Sequence, residues 1–106
     1  MPKYLTVASY TAEGAKGLLK EGGTARRAAV EELMKSSGGR LEAFYFAFGD
    51  NDAYVITEGP DNVTTAALSL TVSASGAVRT KTIVLLTPEE IDQAAKKTVK
   101  FRPPGS

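Results

Sequence analysis

The chain has 106 residues, 42% of them hydrophobic and 24% charged, with 13 Lys and Arg against 12 Asp and Glu for a formal net charge of +1. One domain fits that length; the composition excludes a disordered, collagenous or membrane-spanning chain, and the balance of charge leaves no single-signed field to hold a nucleic-acid backbone. The absence of Cys, His and Trp rules out disulfides, thiolate chemistry and the usual imidazole base or metal ligand, leaving Asp, Glu, Lys, Tyr and hydroxyl groups for any chemistry.

Residues Pro2–Tyr10 have a strand composition, with Leu5 and Val7 on one face and Tyr4, Thr6, Ala8 and Tyr10 on the other. From Thr11 the apolar spacing becomes helical through Ala12, Ala15, Leu18 and Leu19, until Gly22-Gly23 interrupts it. Thr24 is placed to cap a second helical stretch, with Ala25, Ala28, Ala29, Leu33 and Met34 as its stripe and Gly38-Gly39 as its end. The result is a helix in two pieces.

An aromatic strand, Arg40–Phe48, and a second strand, Asp52–Thr57, flank Gly49-Asp50-Asn51. Asp and Asn tolerate positive φ, so the spacing predicts a tight primed turn at Asp50-Asn51 with a bulge at Gly49. After Gly59-Pro60-Asp61, Asn62 is placed to cap a helix whose apolar positions are Val63, Ala66, Ala67, Leu70 and Ala74, ended by Gly76. Ala77–Leu86 reads as a fourth strand from Val78, Thr80, Thr82, Ile83 and Val84. A last helix follows, announced by Thr87 as cap, Pro88 at its first position, Glu90 closing a capping box, and Leu86 with Ile91 as a staple. Residues 1–100 are therefore expected to form one domain, with 101–106 an extended or disordered tail.

Strand, helix, strand, strand, helix, strand is the order of the ferredoxin-like α+β fold, a split βαβ with four antiparallel strands. Right-handed crossovers place both helical layers on one face of the sheet. A bare opposite face should carry polar residues, yet Phe44, Phe46 and Phe48 alternate with Ala43, Tyr45 and Ala47, and Ala53 and Val55 with Tyr54 and Ile56. Both faces are apolar, which predicts a homodimer packed through the sheet face.

The hairpin Phe46-Ala47-Phe48-Gly49-Asp50-Asn51-Asp52-Ala53-Tyr54-Val55-Ile56 resembles the GYD-domain family of small bacterial proteins, as do Pro60-Asp61-Asn62, Ala74-Ser75-Gly76 and Leu85-Leu86-Thr87-Pro88-Glu89-Glu90. The resemblance runs from about Pro2 to Lys97 and implies a dimeric α/β-barrel of ferredoxin-like units, without implying an activity. Of the Gly, Tyr and Asp that give the family its name, Gly49 and Asp52 match, and Asn51 stands where the Tyr is expected.

Candidate ligand-binding residues are Asp52, Asn51, Tyr45, Arg27 and Lys20. Asp52, at the mouth of an apolar hairpin, has the chemistry of a general base if burial raises its pKa, and that of a turn-holding acceptor if it does not. Lys20, with Arg26 and Arg27, lies close to a helix amino terminus and could collect an anion; the plainer alternative is a solvated helical face on which Arg27 pairs with Glu31. The aromatics, Tyr45 among them, suit either a pocket for a planar molecule or core and interface packing. Three functions fit: a small-ligand-binding or structural domain; by similarity to other dimeric α/β-barrel proteins, a cofactor-independent oxygenase or isomerase acting on a small aromatic or quinone-like substrate; or a protein-interaction module using a sheet edge or the Pro103-Pro104 tail. The chain is expected to be cytoplasmic, with no cofactor or metal and neither nucleic acid nor membrane as partner.

Overall fold

Period-two alternation builds four strands and period-3.6 stripes build four helices in the computed structural model, which describes residues 1–106. In chain order they are β1 (Lys3–Tyr10), α1 (Ala12–Glu21), α2 (Gly23–Ser36), β2 (Arg40–Phe46), β3 (Ala53–Glu58), α3 (Asn62–Ala74), β4 (Val78–Leu85) and α4 (Pro88–Ala95). The sheet order is β2-β3-β1-β4, and all neighbours are antiparallel. This is the ferredoxin-like α+β arrangement that the order of elements predicts.

Several boundaries differ from expectation for local reasons. Gly22, at φ 84, turns the chain through the left-handed region that glycine tolerates, and α2 starts at Gly23 with Gly22 as its cap and Thr24 inside its first turn. Between β2 and β3 no residue takes a positive φ. The primed turn is therefore replaced by a wider loop, closed by the Ala47 N–H on the Asp52 carbonyl at 2.8 Å and docked by the Asp52 N–H on the Ala8 carbonyl at 2.8 Å. The bulge falls between Leu41 and Ala43 instead of at Gly49. Asp61, one residue before Asn62, caps α3: its Oδ1 accepts the Thr64 N–H at 2.7 Å. Asn62 is thereby free to accept a hydrogen bond from Tyr4 Oη at 2.7 Å, which satisfies a phenol only 1% exposed. The capping box of Thr87 and Glu90 forms as its spacing predicts.

Pairing assigns the two sheet faces. Tyr4, Thr6, Ala8, Tyr10, Phe44, Ala53, Val55, Thr57, Val78 and Thr80 share the face under the helices. Leu5, Val7, Ala43, Tyr45, Tyr54, Ile56, Ile83 and Leu85 share the other, which none of the helices packs against. A chain of ion pairs closes one end of that bare face, Lys3 to Glu42 at 2.8 Å and to Glu58 at 3.7 Å, and Arg40 to Glu58 at 3.2 Å.

The helices turn partly different sides inward from those their apolar stripes predict. α3 directs Thr65, Leu68, Ser69 and Val72 at the sheet, leaving Val63, Ala66, Ala67, Leu70 and Ala74 outside or at the margin. On α2, Arg26, Val30, Leu33 and Met34 face inward while Ala25, Ala28 and Ala29 are exposed. Every residue from Pro88 to Ser106 is exposed, so α4 and the tail project from the domain. The radius of gyration is 16.9 Å, against about 13 Å for a compact chain of this length.

Candidate functional site

The inward sides of α2 and α3 are short of bulk, because α2 contributes one long aliphatic pair, Leu33 and Met34, and α3 contributes the hydroxyl residues Thr65 and Ser69 beside Leu68 and Val72. The sheet beneath them is equally lean at Thr6, Ala8 and Ala53. A chamber of about 100 Å³ remains between the layers, walled mainly by Val30, Leu33, Met34, Phe44, Val55, Leu68 and Val72. That is on the order of the space one aromatic ring occupies in an engineered apolar cavity. Beside it, between α1 and the end of α3, lies an open cleft lined by Glu13, Gly14, Leu18 and Glu21. Chamber and cleft share Tyr10, Arg26, Val72 and Val78 as a common wall.

Tyr10 is the last residue of β1, and the Asp52 carboxylate holds it in place by accepting its backbone N–H at 2.8 Å. Its phenol is pushed above the ordinary tyrosine range, chiefly by burial; Arg26 beside it works in the opposite direction, and Asp52 and Glu21 add to the rise. A group whose pKa is raised by folding contributes stability that is complete below its unfolded value and is lost as pH rises through its folded value. We therefore expect the domain to lose stability above about pH 10, and Tyr10→Phe to lose less over the same range. Thermal melts of both proteins between about pH 8 and about pH 11 check this; parallel curves would show that Tyr10 is not the group responsible. Lys3, raised chiefly by its hydrogen bond to Glu42, is common to both proteins and cancels in the comparison.

The five residues singled out by sequence are dispersed. Asp52 holds the backbone of Tyr10, one shell behind the chamber. Asn51 accepts from Ser9 Oγ at 3.4 Å and donates to Tyr54 Oη at 3.3 Å, tying the loop to the bare face. Tyr45 stands on that bare face, 72% exposed. Arg27 lies on the outer side of α2, 3.6 Å from Glu31 one turn on, and Lys20 is exposed in the last turn of α1. Of these, Asp52 alone adjoins the Tyr10 and Arg26 wall. Of the residues that line the chamber on α3, Ser69 is small enough for the close approach to the sheet that its sequence suggests, while Thr65, Leu68 and Val72 do not stand out in the sequence; their spacing of three and four residues is the one signal that could have found them.

A single antiparallel sheet carrying a helical layer on one side, with an apolar chamber between the two, defines a ferredoxin-like α+β domain. The family model of the GYD domain matches residues 4–95, and the chain belongs to that family. No curated protein and no solved structure matches it significantly.

Proposed function

We propose that this protein is a homodimeric cytoplasmic binding domain that takes one small, largely apolar molecule into the chamber between α2, α3 and the sheet. The chamber itself carries the reading. A core with only eight buried residues leaves a ring-sized space lined by Phe44, Met34 and aliphatic side chains, the lining that small organic ligands ordinarily meet. Benzamide, a neutral ring of that size, is expected to raise the melting temperature in a concentration-dependent way, as any ligand of the native state does. Val72→Phe, which places a ring at the shared wall, should abolish the rise. No rise at millimolar benzamide, or an undiminished rise in Val72→Phe, would count against the chamber as the site.

Surface area supports the dimer. The chain exposes 7672 Å², whereas a compact monomer of its mass exposes roughly 5,700 Å². The surplus of roughly 2,000 Å² exceeds the roughly 800 Å² that each partner contributes to a standard interface. The bare sheet face, the outer side of α3 and the projecting α4 supply it.

A further inference from the structure

We propose that Arg26 makes the chamber selective for small aromatic or alicyclic ligands bearing a single negative charge, a monocarboxylate in the simplest case, with the ring among the apolar walls and the charge on the guanidinium beside the Tyr10 hydroxyl. The inference rests on the chamber being the binding site, and adds the chemistry of what it holds. Arg26 is the one charged side chain among the chamber's lining residues. It is half-buried, no carboxylate lies within 4.0 Å of it, and the polar side chain beside it is the neutral phenol of Tyr10. The other arginines are differently placed: Arg27 and Arg40 are paired, and Arg79 and Arg102 stand in water. A guanidinium partly stripped of solvent, with five donors, a neutral phenol beside it and no counter-charge, is a donor site for a planar carboxylate.

The surrounding acids set the limit to one charge. Asp52 is engaged with the Tyr10 backbone. Glu13 and Glu21 line the outer cleft but not the chamber. Any second negative charge on the ligand would have to sit near those carboxylates, in a cleft with apolar walls where like charges repel more strongly than in water.

Calorimetric titration of the full chain with benzoate, benzamide and phthalate at about pH 7.5, where benzoate is wholly ionised, separates the statements. Benzoate should bind at least about tenfold more tightly than its neutral isostere benzamide, and phthalate more weakly than benzoate, a charge-assisted hydrogen bond being worth about 1.4 kcal/mol or more. Arg26→Gln, which keeps an amide donor and removes the charge, should bring benzoate down to benzamide while leaving benzamide unchanged. Arg26→Lys should retain part of the preference, and unchanged near-ultraviolet circular dichroism shows that both variants fold. Equal binding of benzoate and benzamide to the wild type, or a preference that survives Arg26→Gln, overturns the selectivity and leaves the chamber standing. Failure of all three probes to bind overturns the chamber with it.

Discussion

If the proposed dimer packs through its sheet face, Ile56→Lys is expected to yield a folded monomer at protein concentrations where the wild type sediments as a dimer. Ile56 lies in β3, one of the two central strands, and pairs with Leu5 of β1 and Ala43 of β2 on the bare face. In the isolated subunit a lysine here can lay its stem over Leu5 and keep its ammonium in water, so the fold tolerates it. Between two packed sheets the same ammonium loses water without a designated partner. The cost of burying an uncompensated charge runs to several kcal/mol, so the dissociation constant should rise by at least about a thousandfold. Sedimentation velocity from about 1 to about 100 µM reads the change, within the range of ordinary homodimer affinities. Leu19→Lys, on the exposed side of α1 and away from the sheet face, is the control and should leave association unchanged. A wild type that is monomeric at the highest concentration, or an Ile56→Lys protein that still dimerises, removes the sheet face as the interface.

The fold was legible wherever a physical rule acts on neighbouring residues. Alternation in β1 separates Leu5 and Val7 from Tyr4, Thr6 and Ala8, and the pairing partners confirm both faces. Thr87, Pro88 and Glu90 mark the start of α4 because a cap and its reciprocal partner are three residues apart. The wide β2–β3 loop was not legible, since it is held by the Asp52 N–H on Ala8, a contact 44 residues away that overrides the turn preference of Asp50 and Asn51.

Helix phase was the larger loss. Alanine contributes little to the choice of which side is buried, so Ala25, Ala28, Ala29, Ala66 and Ala67 made stripes that were only partly the buried ones. Arg26, Thr65 and Ser69 face the sheet, against the rule that polar residues face water. Local and tertiary preferences disagree at the very positions that wall the chamber, which is where functional requirements are expected to break the pattern. A reading that rewards apolar periodicity therefore reaches this site only through Arg26 and Asp52 and otherwise settles on exposed residues such as Lys20, Arg27 and Tyr45.

Gly14→Ala and Gly17→Ala, substitutions one turn apart on the same helix, should shift stability in opposite directions. α1 approaches the start of β4 so closely at Gly14 that an added methyl group would land on the carbonyl oxygen of Ala77, with the Tyr10 ring also in contact. That carbonyl already accepts the Thr11 N–H at 3.0 Å and the Thr11 hydroxyl at 3.2 Å, so the helix cannot back away without stretching both. Overpacking of this kind costs about 1–3 kcal/mol and each weakened hydrogen bond about 1 kcal/mol. The gain in helix propensity from Gly to Ala returns at most about 1 kcal/mol. The net loss for Gly14→Ala is therefore about 2–4 kcal/mol, a fall in melting temperature of about 10 °C or more for a domain of this size. Nothing lies within 4 Å of a methyl group built at Gly17, so there the propensity term acts alone and should stabilise by up to about 1 kcal/mol. Urea denaturation of the two variants, compared at matched protein concentration to hold any association constant, measures both signs. If Gly14→Ala is as stable as Gly17→Ala, α1 is not seated on Ala77, and the cleft it forms with Tyr10 and Arg26 loses one of its walls.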